Sequence, residues 1–140
     1  MDKRYKMIPK KIHYCWFGGN KKSKLILECI KSWKRYFPDY EIIEWNEGNF
    51  DIHQCDYVEQ AYKQKKWAYV SDYARMKILD LYGGIYFDTD VEVIKRFPEE
   101  LRVHSFSGIE EFSKLVAPGL VYGCEAGDVI VHEMVNEYEH

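Results

Sequence analysis

No C-x-x-C pair occurs in this chain; its four cysteines, Cys15, Cys29, Cys55 and Cys124, lie far apart. Zinc-ribbon and dithiol redox motifs are therefore not indicated. His132 and His140 also lack zinc-site spacing. The basic opening, MDKRYKMIPKKIHYCWF, has no apolar segment of the kind a secretory signal needs. Nowhere does an apolar run approach the roughly 18 residues of a membrane span. Scattered cysteines without a leader read as reduced thiols, so the expectation is a cytoplasmic protein, with peripheral attachment at the inner face of the membrane left open. Charge of one sign is missing too: the net charge is −3. That balance argues against electrostatically driven binding to nucleic acid. No repeat, low-complexity segment or linker divides the 140 residues, so 1–140 reads as a single domain. What is present is a globular apolar fraction of 46% and an aromatic fraction of 16%. Rings at that density build cores and can also make platforms for sugars and bases.

Strand and helix patterns alternate over the first hundred residues. Lys11–Phe17 is a short β-rich run closed by Gly18-Gly19-Asn20. Ile26, Ile30, Trp33 and Phe37 form one helical face, which Pro38-Asp39 ends. Tyr40–Trp45 reads as a second strand. Asp56, with Glu59 three residues on, resembles a capping box opening a short helix to about Lys65. A stronger helix spans Trp67–Tyr82, stopped by Gly83-Gly84. The strand Ile85–Phe87 follows, and Val91–Ile94 continues as extended chain. Val103–Ile109 and Pro118–Cys124 read as strands and Asp128–Tyr138 as a terminal helix. The alternation predicts an α/β sandwich with a largely parallel central sheet.

The most informative feature is Asp88-Thr89-Asp90, two carboxylates directly after a buried-type strand. Ligands of open α/β sheets bind outside the carboxyl ends of the strands, where this pair falls. On a regular strand, residues i and i+2 point to the same side. Two close carboxylates repel, and a divalent cation such as Mg²⁺ or Mn²⁺, shared with substrate phosphates, relieves that repulsion. A lone D-x-D is more often a solvated turn; here a helix, Gly-Gly and Ile-Tyr-Phe precede it.

The segment WAYVSDYARMKILDLYGGIYFDTDVEV, Trp67–Val93, resembles the sugar-binding region containing the DXD motif of glycosyltransferase family 32. It is similar also to the related glucosyltransferase domains of large bacterial toxins. The opening IPKKIHYCWFGG, Ile8–Gly19, independently resembles the family's first strand. The resemblance implies a GT-A-like fold and a metal-dependent glycosyltransferase of the capsular-polysaccharide type. It would move a sugar from a nucleotide-sugar donor, a UDP-sugar transferred with retention, to a carbohydrate or lipid-linked acceptor. It implies Asp90 as first metal ligand, with Asp88 on the donor's hydroxyls or on the metal through water. Ser71, Asp72 and Arg75 would face the donor sugar, Trp16 would stack on the base, and Tyr86 would lie near the ribose. Gly18 and Gly19 would let backbone approach the nucleotide. No catalytic nucleophile is named. Enzymes of the family run longer and carry a late H-x-x-x-S-W type segment that is not found here, so the expectation is the front portion of a longer pattern, truncated at its C-terminus.

Each of these residues also has a plainer reading. Asp72 and Arg75 could be a surface ion pair worth a few tenths of a kcal/mol, and Tyr86 a core tyrosine. Trp33, Trp45 and Trp67 are assigned mainly to core and His13 to a satisfied strand position. Glu110-Glu111 reads as a solvated pair, while Glu125, between Gly123 and Gly127, could border an acceptor pocket. Two other functions fit an acidic pair after a strand. One is a haloacid-dehalogenase-like phosphatase with Asp88 and Asp90 as nucleophile and acid, although Glu92 stands where that class expects Thr or Val. The other is a nucleotide-sugar-binding domain without turnover.

Overall fold

The computed structural model describes residues 7–109, 111 and 113–140. Residues 1–6 of the basic opening, and Glu110 of the expected solvated pair, lie outside the described residues; Glu111 is exposed. The strands are β1 (Lys11–Cys15), β2 (Glu41–Trp45), β3 (Gly84–Phe87), β4 (Phe106–Ile109) and β5 (Val116–Cys124). The helices are α1 (Lys24–Tyr36), α2 (Asp56–Lys63), α3 (Trp67–Tyr82) and α4 (Val129–Glu139), with a short 3-10 turn at Glu99–Val103. The strands form one sheet in the order β2-β1-β3-β5-β4. β2, β1 and β3 are parallel, and β5 and β4 add antiparallel pairs on the far side.

Alternation along each strand divides the core into two layers. Ile12 and Tyr14 of β1 and Ile85 and Phe87 of β3 meet Ile30, Trp33 and Phe37 on one face. Cys15, Tyr86, Tyr122 and Cys124 meet Val70, Tyr73, Ala74 and Ile78 of α3 and Val131 and Val135 of α4 on the other. The sheet is thus covered on both sides, α1 on one and α2–α4 on the other, as an α/β sandwich requires.

Local chemistry sets the helix ends. Ser23 caps α1 by accepting from the Ile26 amide at 3.2 Å, and Asp128 caps α4 by accepting from Ile130 and Val131. The expected capping box at Asp56 does not form. Cys55 is the extended residue before the helix, without a side-chain cap bond, and Asp56 is already helical. Asp56 and Glu59 instead place negative charge in the first turn, favourable to the helix dipole. Glu99–Val103 turns before β4 begins, which shortens the strand expected from Val103.

Two further differences bear on function. Asp88-Thr89-Asp90 is not on a strand: β3 ends at Phe87, and the Val91 amide donates to the Asp88 carbonyl at 3.1 Å, closing a turn. The extended chain after it joins no strand. It is held by α1, where Trp33 Nε1 donates to the Val91 carbonyl at 2.7 Å and the Val93 amide donates to Ser32 Oγ at 2.8 Å.

Candidate functional site

The parallel strands end together, so the segments after β1, β2 and β3 converge on one edge of the sheet. β3 delivers Asp88. Packed above it, α3 delivers Asp72 and Arg75 from one face, three residues apart. Arg75 Nη2 donates to Asp72 Oδ1 at 3.2 Å, and the Arg75 side chain is only 11% exposed. Its guanidinium lies 5.5 Å from the centre of the Tyr86 ring. A cation over an aromatic face is favourable, more so away from water. Arg75 Nε is buried with no hydrogen-bond partner among the described residues. A buried N–H left unpaired by protein groups costs about 1–3 kcal/mol unless another partner reaches it.

Asp88 is half-buried. Burial pushes its carboxyl above the ordinary carboxylate range; Arg75 opposes that shift, while the Asp90 and Asp72 charges add to it. One cation thus faces three carboxylates. Asp90 is exposed at the tip of the turn, and Ser71 is half-buried on α3. Beneath the cluster, Cys15 is buried beside Tyr86, Arg75 and Asp88, and burial raises its thiol to about 12. It is therefore an inert floor rather than a nucleophile. Tyr86, 1% exposed, also belongs to this floor: its ring seats Arg75 and is not open to the cleft.

Trp16 follows β1. Its indole Nε1 donates to the Asn20 carbonyl at 2.7 Å, and Lys22 Nζ lies 5.5 Å from its ring centre. Gly18 has φ +92°, and a Cβ there would come within 2.6 Å of the Trp67 ring. Its amide donates to Glu47 Oε2 at 2.7 Å, a carboxylate that also accepts from the Tyr62 hydroxyl at 2.8 Å. The Gly18 amide is thus occupied by Glu47, and the packing need at Gly18 comes from Trp67. A cavity of 660 Å³ opens beside this loop, lined by Gly18, Asn20, Ile52, His53, Tyr62, Lys63, Lys65 and Trp67. Trp33 is fully buried, whereas Trp45 and Trp67 are half-buried at the core edge, and Trp67 is part of the cavity wall. Sequence reasoning missed Glu47, Cys15 and that wall. They come together only through the sheet, and no local pattern marks them.

Glu125 is placed elsewhere. β5 runs antiparallel to β3, so Cys124 pairs with Gly84. Glu125 therefore lies at the opposite edge of the sheet, with its backbone against Gly83. It does not border this site.

Asp72, Arg75, Tyr86 and Asp88 are thus brought together, with Asp90 on the same turn and Trp16 at the same sheet edge. No group of three or more His, Cys, Asp or Glu side chains suited to a metal occurs among the described residues. No helix among them is long and apolar enough to cross a membrane.

The chain is similar to known proteins. A curated relative, the Subversion of eukaryotic traffic protein A of Legionella pneumophila, is 30% identical over 121 residues, covering 67% of this chain and 19% of that protein. An uncharacterized glycosyltransferase of Acanthamoeba polyphaga mimivirus is 32% identical over 109 residues, covering 71% of this chain and 42% of that protein. The chain thus spans less than half the length of either. Among solved structures, the PaToxG glycosyltransferase superposes with a TM-score of 0.71 at 20% identity, over 94% of this chain and 59% of that one. That likeness establishes the fold. The family described as glycosyltransferase sugar-binding region containing DXD motif matches residues 23–107, a span that holds α3, β3 and the acidic turn. With that match over more than half of its residues, the chain belongs to this family of glycosyltransferase sugar-binding regions.

Proposed function

We propose that this single domain binds a nucleotide-sugar donor at the carboxyl edge of β1–β3 and transfers its sugar to an acceptor hydroxyl. The observation that carries the reading is Arg75, nearly buried, seated on Tyr86, tethered by Asp72, left with an unpaired Nε among the described residues, and close enough to Asp88 for its charge to act on that carboxyl. A guanidinium held in this way is suited to oxygens of a phosphate or a sugar. Asp72 and Ser71 bind donor hydroxyls, and Trp16 offers its ring to the nucleobase, a stacking typically worth about 1–3 kcal/mol.

A divalent cation fits the residues present. Mg²⁺ and Mn²⁺ are commonly held by one or two carboxylates together with substrate phosphates, which matches two aspartates on a turn without a complete protein cage. The excess of carboxylates over cations around Asp88 points the same way. Asp90, exposed, is the direct ligand, and Asp88 binds donor hydroxyls or the cation through water. When bound, the cation supplies Lewis-acid stabilisation to the departing diphosphate. A UDP-sugar, transfer with retention, and a place in capsular or other surface polysaccharide synthesis complete the reading, and these rest on the family resemblance. With the family assigned, the phosphatase alternative falls away.

Thermal-shift measurements with UDP- and GDP-sugars, with and without Mn²⁺, test the proposal. A donor at a hundredfold excess over its Kd stabilises by about 2.7 kcal/mol, so a metal-dependent rise in Tm is expected. The double variant Asp88→Asn/Asp90→Asn should lose it. No rise with any donor, or a rise unchanged in the variant, overturns the reading.

A further inference from the structure

Helix α2 presents a stripe that the site described above does not use. Asp56, Gln60 and Gln64 recur at intervals of four, and Tyr57 and Ala61 run beside them, so both rows follow one side of the helix. Together with Lys66 and Tyr69 at the start of α3, they line a cavity of 410 Å³. That volume lies in the range of small-ligand sites, about 300–1,000 Å³. Tyr69 is 52% exposed, with Lys66 Nζ 5.6 Å from its ring centre. The Asp56, Gln60 and Gln64 side chains make no hydrogen bond or ion pair among the described residues.

The groove adjoins the donor site. Tyr69 and Asp72 are three residues apart on α3, and Tyr57 lies within the electrostatic reach of Asp72, Tyr69 and Arg75. The Tyr57 ring packs on Tyr138 of α4 at 4.7 Å, which fixes its position. Tyr57 and Tyr69 thus set the groove beside the Asp72–Arg75 pair, which stands outside its lining.

Its chemistry is that of a neutral polyhydroxylated ligand. Amides both donate and accept, and a carboxylate accepts, so together they match a rim of hydroxyls. Two tyrosine rings and Ala61 match the apolar C–H face of a pyranose. Asp56 and Lys66 balance each other in charge, so the groove favours neither an anion nor a cation. We infer that the α2–α3 groove is the acceptor subsite and takes a neutral hexose unit of a glycan acceptor. The inference rests on the transferase reading above and adds the substrate class on its acceptor side.

Saturation-transfer NMR on the full chain with methyl glucosides, galactosides and mannosides tests it, with the Mn²⁺-dependent donor shift measured in parallel. At least one hexoside should receive saturation. Tyr69→Ala and Gln60→Ala, both on exposed side chains, should each weaken that signal severalfold while the donor shift stays as in the wild type. A wild-type chain that binds donor but saturates no hexoside overturns the inference, and favours a protein or other acceptor. So does a hexoside signal that both variants leave intact. A hexoside signal lost in the variants, with no donor shift in any form, supports the hexose groove and sinks the transferase reading.

Discussion

At the amino end of β3, His13 is completely buried and both ring nitrogens are paired. Trp45 Nε1 donates to Nδ1 at 3.0 Å, so Nε2 carries the proton and donates to the Gly83 carbonyl at 2.8 Å. At the carboxyl end of the same strand, Arg75 is almost as deeply placed, yet one nitrogen has no partner and Asp88 sits among like charges. The two ends share the sheet, the helix above it and a similar depth. Their difference is in satisfaction. A paired, neutral histidine stabilises the fold, whereas an under-paired arginine beside crowded carboxylates is stable only at the expense of that fold. The second end is therefore the one proposed above to take the donor.

The largest expected effect strikes the closed end. Gly84 has φ +113°, and a Cβ there would lie 2.8 Å from the Lys11 carbonyl oxygen and 3.0 Å from His13 Nε2. Gly84→Ala combines backbone strain with overpacking, each about 1–3 kcal/mol, and should cost about 3 kcal/mol or more in urea unfolding. A loss below about 1 kcal/mol would show that this end is looser than described.

His13→Leu comes next. It leaves the Gly83 carbonyl and the Trp45 indole without their partner, at about 1–3 kcal/mol. The histidine also gives this end a pH signature. Burial lowers its pKa, so the unfolded chain binds the extra proton first. Its contribution is complete above the ordinary histidine pKa of about 6.5 and is lost as pH falls through the folded-state value. Stability measured from pH 7 to 5 should fall in the wild type and fall less steeply in His13→Leu. Parallel curves would remove the paired, neutral histidine from the comparison.

The smallest effect has the opposite sign. The Asp88 pKa is raised by burial, so the folded state binds the extra proton first. The charged form costs stability once pH exceeds the unfolded value, and the whole cost is present above the folded one. Asp88→Asn should raise the Tm of the ligand-free chain by a few degrees at pH 7 and reduce the metal-dependent donor shift. A variant that loses Tm at pH 7 would show that Asp88 is an ordinary structural carboxylate, and the contrast between the ends would fail.

The sequence discloses these two ends unequally. Apolar periodicity gives the buried face of α1 and the bounds of α3, and the α/β class follows from alternation, because both depend on local spacing. The run Gly83–Asp90 marks the candidate site from sequence alone, because its glycines, apolar strand and carboxylates are contiguous. His13 was legible only as a satisfied strand residue; its partners, Trp45 and Gly83, lie 32 and 70 residues away. The turn at Asp88–Asp90 was hidden for a similar reason. Its exit is decided by distant side chains of α1, and strand propensity carries no record of them. The antiparallel course of β5 decides that Glu125 belongs to the wrong edge, and nothing in the Gly123–Gly127 run signals direction.

The bonds from Trp33 and Ser32 to the chain after Asp90 span 58 and 61 residues. Contacts of such separation form only after loop closure has been achieved, which slows folding. The expected order is that the acidic turn is fixed late, once α1 has docked on the sheet. In a refolding experiment followed by pulsed hydrogen exchange, the amide of Val93 should gain protection after those of α3, and protection gained together would show that the turn is set as early as the helix.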